Sequence, residues 1–202
     1  MNGKAGIWAA AEELRQQHGK DLGNVPVDVL TTIEVRLRLD VVPFENLLTK
    51  YSVDAALMQD FSGIYVDKAS YRYLEGRPLY EFNRLRFSLA HELGHCILHR
   101  KLTGESKFKT LDDFRNWMKS YNDARYSLEW EANEFAGRLL VPVDRLKTDF
   151  DAFTKEVEAQ FPAWWTNSNL RDALTQKLGE FYGVHGDVIA CRLDREEFWP
   201  MP

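Results

Sequence analysis

His91-Glu92-Leu93-Gly94-His95 decides how this chain is read. It sets two imidazoles four residues apart, with a carboxylate directly after the first. Four residues of α-helix turn about 40° around the axis and rise about 6 Å along it. Both rings therefore converge on one ion, and Glu92 projects beside them toward a water held by that ion. The pattern is that of a zinc hydrolase: His91 and His95 as metal ligands, Glu92 as general base.

The flanking sequence suits that chemistry. Phe82 to Arg100 contains no proline and reads as one helix, with Leu85, Leu89, Leu93, Cys96 and Ile97 on one broad apolar face. Phe87 and Leu98 add a second apolar edge. The remaining stripe is polar and holds Arg84, Ser88, His91, Glu92, His95 and His99. A mostly buried helix with one polar stripe fits the wall of a cleft better than it fits a pair of ordinary core histidines.

A catalytic zinc takes three protein ligands and keeps one position for water. His99 lies two turns beyond His91, roughly 12 Å along the axis, so one helix cannot bring all three rings to one ion. A place at the cleft edge, or behind the ligands, is expected for it. The stronger donors lie in Ser127 to Val141, a second helix closed by Pro142, whose apolar face is Leu128, Ala132, Phe135, Ala136 and Leu139. Glu134 projects nearly opposite that face, toward solvent. Glu131 lies well to one side. Glu129 sits at the edge of the face, with Asn133 one turn on, where Asn133 could hydrogen-bond a ligand histidine. Glu129 therefore ranks ahead of Glu131 as third ligand, and Glu131 remains the alternative.

Arg86-Phe87-Ser88-Leu89-Ala90 leading into the histidine motif, followed by Glu129 to Pro142, resembles the ImmA/IrrE family of zinc metallo-endopeptidases. The likeness runs from about Val27 to Pro142. With strand-like stretches before the motif forming a small sheet packed on the motif helix, the expected fold is α+β; the likeness implies a thermolysin-like (zincin) core. It also implies His91, His95 and Glu129 as zinc ligands with Glu92 as the base. As partner, it implies a helix-turn-helix transcriptional repressor whose cleavage regulates stress-response or mobile-element genes. The charged stretch from Lys101 to Asn122 does not match the family pattern. A non-catalytic metal-binding or partner-binding module of the same fold is the alternative, although a purely binding protein has no need of Glu92. Manganese, iron or cobalt could use the same ligands, but a nitrogen-rich set suits zinc.

Three stretches before the motif have strand character: Arg38 to Phe44, Phe61 to Asp67, and Ser70 to Leu74, the last expected to pair with the second across Asp67-Lys68-Ala69. An exposed edge among them could take an extended peptide. An oxyanion donor is sought among Tyr71, Tyr73, Tyr126 and His99. Helices are also expected from Val27 to Leu37, Leu111 to Lys119 and Val143 to Gln160, with an amphipathic helix at the N-terminus ending near His18. Leu170 to Tyr182 and Asp187 to Arg195, joined across Gly183 to Gly186, form a helix-turn-helix pattern. Its second helix opens on Asp187 and gains Arg192 and Arg195 only late, which argues against DNA reading.

The chain has 202 residues, 45% of them hydrophobic, enough for a sizeable core. The expected division is a metallopeptidase domain over residues 1–160 and a C-terminal helical segment over 161–202. A net charge of −5 argues against broad binding to nucleic acid. The sequence shows neither a bilayer-spanning apolar stretch nor a secretion h-region near Met1. Its two cysteines, Cys96 and Cys191, do not suggest a disulfide, and a reducing cytoplasm is expected.

Overall fold

α1 (Lys4–Gln17) buries Ile7, Ala11 and Leu14, the i, i+4, i+7 stripe of an amphipathic helix. The chain is described by a computed structural model over residues 3–18, 24–58, 60–72, 79–103 and 123–200. α2 (Val29–Thr31) starts where the Asp28 carboxylate accepts from the Thr31 amide, then widens into a π-helical turn, Thr32–Arg36. There follow β1 (Asp40–Phe44), α3 (Leu47–Tyr51), β2 (Ala55–Leu57), β3 (Gly63–Asp67) and α4 (Lys68–Tyr71). The long helices are α5 (Leu79–Thr103), α6 (Asp123–Leu140), α7 (Val143–Gln160), α8 (Ser168–Tyr182) and α9 (Gly186–Arg195). Among the described residues the fold is mostly helical with one three-stranded sheet, an α+β arrangement.

The sheet runs β1-β3-β2, with β1 parallel and β2 antiparallel to β3. Two expectations change here. The segment after Asp67 is helix α4, not a strand. The Asp67 carboxylate accepts from the Ala69 and Ser70 amides, and that cap turns the chain into a helix. The antiparallel partner of β3 is instead β2, and β3 is flanked on both sides, so Phe61 to Asp67 supplies no free edge. Gly63 permits the parallel pairing, because a Cβ there would lie 2.3 Å from the Asp40 carbonyl oxygen. The expected helix at Leu111 to Lys119 lies outside the described residues.

Helices α5 and α6 form the centre. Leu85, Leu89, Ala90 and Leu93 from α5 share the core with Phe135, Ala136 and Leu139 from α6. Gly94 permits a close approach: a Cβ there would sit 3.2 Å from Ala132 Cα and O. The same core cluster draws on Leu146 and Phe150 before residue 160 and on Trp164, Leu174, Tyr182 and Ile189 after it.

Pro142, which cannot extend α6, takes an extended conformation and opens α7. The expected bounds of α7 are those observed, and Arg145–Asp149 and Lys147–Asp151 pair along its surface at i, i+4. Gly183 ends α8 at φ +62°, a conformation that favours glycine. Arg86 of α5, 4% exposed, donates to the carbonyls of Tyr182, Gly183 and Val27, and Asn83 donates to Val184 O. Burial pulls the Arg86 pKa down to about 10, still charged at neutral pH, so a buried cation clamps the α8–α9 turn to α5. Among the described residues no helix is long and apolar enough to cross a membrane.

Candidate metal centre

The polar stripe of α5 faces α6, and the two helices bring three donors together. His91 Nε2 and His95 Nε2 lie 3.0 Å apart. Glu129 Oε2 is 3.2 Å from His91 Nε2, and its Oε1 is 3.7 Å from His95 Nε2. One donor atom from each residue falls within 4.8 Å of the others. Two imidazole nitrogens and a carboxylate oxygen, converging this closely, fit a divalent cation of zinc's type. The histidine side chains are 15% exposed and Glu129 is 30% exposed, so the cluster opens to the surface.

Each ring is oriented from behind. His91 Nδ1 lies 2.9 Å from Asn133 Oδ1. The amide oxygen accepts, so the ring donates from Nδ1 and turns Nε2 to the cluster. His95 Nδ1 lies 2.9 Å from His99 Nδ1, and His99 Nε2 lies 3.3 Å from Glu131 Oε2. Thus Glu129 reaches the two rings of the motif, whereas Glu131 reaches His99. Asn133 and His99 both stand behind the motif histidines, as their helical positions suggested.

The electrostatics follow from burial and from the mixture of charges. Burial is the largest influence on Glu92 and pushes its carboxyl above the usual range, against the opposing pull of His91 and His95. Burial pushes Glu129 the same way, but the neighbouring His91 and His95 rings outweigh it and hold the carboxyl well below the usual range. Burial disfavours charge on His91 as well. There the Glu129 hydrogen bond, with Glu92 and Glu129 nearby, overcomes it and raises the pKa. For His99, burial and then His95 lower the pKa despite Glu131, which keeps that ring neutral.

Two features were not legible in the sequence. Glu92 Oε2 accepts from the Leu57 amide at 2.8 Å, which ties the carboxylate to β2. Glu134, expected to face solvent, is 6% exposed and pairs with Arg195 while accepting from Trp8 Nε1. The reason is that α1 and α9 cover the side of α6 away from α5, so neither flank of that helix is free. Of the oxyanion candidates, His99 is fully buried behind His95 and is out of reach of a substrate; Tyr126 is 65% exposed one turn before Glu129. Tyr71 belongs to α4, and Tyr73 lies outside the described residues. Cys96 and Cys191 are both free thiols.

Residues 83–194 match the family model for the IrrE N-terminal-like domain, a peptidase family. That span exceeds half the chain. The chain belongs to the IrrE N-terminal-like family. No curated protein matches it. Family membership makes this a metallopeptidase-like domain, and the His91, His95, Glu129 group could hold a metal ion. The family match begins later than the likeness read from the sequence and runs further, through α7, α8 and most of α9.

Proposed function

We propose that this protein is a zinc-dependent endopeptidase with a thermolysin-like (zincin) core. Its substrate is a protein partner, a helix-turn-helix transcriptional repressor, and its cleavage regulates gene expression, including a stress response. One observation carries the reading: a carboxylate from a second helix, Glu129, meets the two motif histidines with Glu92 beside them. His91, His95 and Glu129 would hold the cation. Zinc, when bound, would supply an acidified water and a polarised scissile carbonyl. Glu92 takes a proton from the attacking water and returns it to the leaving amine. A pKa pushed upward suits both halves of that task.

The sheet supports a peptide substrate. Met58 donates to Gly63 O and Asp67 to Asp54 O, so Asp54, Ala56 and Met58 face β3. In an antiparallel pair the alternate residues turn their main-chain groups outward. Those residues are Ala55 and Leu57, and the Leu57 amide is the one that meets Glu92. The outer edge of β2 therefore runs past the general base, where an extended chain could add as a further strand.

The repressor as substrate rests on the family likeness. A protein rather than DNA as partner is supported by Arg192 and Arg195 of α9, which are committed to Glu196 and Glu134 inside the molecule. A reducing cytoplasm is the proposed compartment, in keeping with the two free thiols, Cys96 and Cys191. The test is incubation of zinc-loaded protein with helix-turn-helix repressors of the same cell, read by intact-mass spectrometry. Wild type should cut one of them and Glu92→Gln should not, at equal zinc content. Binding without cleavage by zinc-loaded wild type would hand the case to the non-catalytic module.

A further inference from the structure

Glu131 and His99 are among the most deeply buried polar side chains described, at 1% and 0% exposure, and His99 lies between His95 and Glu131. Burying a carboxylate and an imidazole together is costly unless each is hydrogen-bonded in a defined direction. Here the direction can be read from both ends. A carboxylate only accepts, so His99 donates from Nε2 across the 3.3 Å contact. A neutral ring protonated at Nε2 offers a bare Nδ1. That atom lies 2.9 Å from His95 Nδ1, which must then donate. His95 is left with its lone pair on Nε2, the atom facing Glu129 and His91. Starting instead from a metal-binding Nε2 on His95 gives the same sequence of protons in reverse.

We propose that Glu131 and His99 form a one-way hydrogen-bond relay that locks His95 in its Nδ1–H tautomer and presents the Nε2 lone pair to the His91–Glu129 cluster. The use of that lone pair for a metal rests on the metallopeptidase reading. Both residues are positioning residues; neither reaches a substrate. His91 is oriented by a different route, its Nδ1–H donating to the exposed amide of Asn133. Its partner is dipolar and meets solvent, whereas the His95 relay ends on a buried carboxylate. The carboxylate also polarises the intervening rings, which raises the basicity of the final nitrogen.

The test uses full-length protein with 15N-labelled histidine. The chain has only five histidines, so long-range proton–nitrogen spectra at pH 8 assign each ring. His95 is expected as the Nδ1–H tautomer and His99 as the Nε2–H tautomer. Zinc affinity, by chelator competition, should weaken about 10- to 100-fold in His99→Phe and at least about 10-fold in Glu131→Leu. His99→Gln should stay within about threefold of wild type, because its amide can accept from His95 and donate to Glu131. Normal zinc binding with His95 protonated at Nε2, or undiminished affinity in His99→Phe, would overturn the relay and leave the metal site standing. Wild type that binds no zinc while showing the expected tautomers would remove the metal reading and leave the relay standing. The tautomer measurement needs only wild type, so a variant that fails to fold does not remove the test.

Discussion

The two flanks of α6 carry comparable charge and use it in opposite ways. Toward α1 and α9, Glu134 pairs with Arg195, and Arg138 pairs with Glu12 and Glu196. Lys4, Arg138 and Arg192 stack within 4.3, 4.8 and 5.1 Å of the Trp8 ring centroid. Every such contact sets a fixed cation against a carboxylate or an aromatic face, which joins three helices and leaves the charges matched. Toward α5, lone-pair donors point inward at one another: Glu129 at His91 and His95, Glu131 at His99. Lone pairs gathered on one point call for a cation or for protons. The lesson is that charge on a helix does not mark a site; the way its partners are arranged does.

The largest effect is expected at Glu92. Replacing it with Gln should cost about 10² to 10⁴-fold in kcat/KM toward the cleaved partner, with zinc stoichiometry unchanged by mass spectrometry. A variant that cleaved normally would remove the general base. Next, Glu129→Ala should abolish stoichiometric zinc binding in equilibrium dialysis and lower the stability of the zinc-free protein at neutral pH, because the folded state holds this carboxyl below its ordinary range. A zinc content near that of wild type would transfer the third ligand elsewhere.

On the other flank the effects should exchange. Arg138→Met leaves Glu12 and Glu196 without their shared guanidinium, and Glu196 is only 10% exposed at its side chain. Arg192 still pairs with Glu196, so a loss of about 1 to 3 kcal/mol in urea unfolding is expected, with zinc affinity retained by the folded protein. If zinc affinity fell in proportion to stability, the two flanks would be one coupled unit. The smallest effect sharpens the comparison within the site. Asn133→Ala removes an exposed hydrogen-bond partner of His91 and should weaken zinc about tenfold, the low end for such supports, as read by chelator competition.

Much of the site was readable before folding because it is local. His91, Glu92, His95 and His99 lie on one helix, where spacing alone fixes which side chains share a stripe. Glu129 and Asn133 were found the same way, from their place at the edge of an apolar face. The same reasoning failed for Glu134, because a helical wheel ranks positions against one buried face and α6 has two. It also failed for the sheet. β2 is only three residues long, Ala-Ala-Leu, too short and too plain to show alternation, and Asp67 capped a helix where a hairpin was expected.

The sequence by itself determined the helix that carries two imidazoles and a carboxylate, the bounds of α7, and the place of Glu129 and Asn133 at one edge of the apolar face of α6. These depend on helical geometry, which acts over a few residues. Tertiary structure alone decided that Glu131 lies behind His99, that Glu134 is buried in ion pairs, and that the edge of β2 meets Glu92. Each depends on which distant segment covers which face, and Gly94 illustrates the reason: with no side chain it lets α6 approach α5 at Ala132. That closeness, set by packing between residues far apart in the chain, brings Glu129 to the two rings.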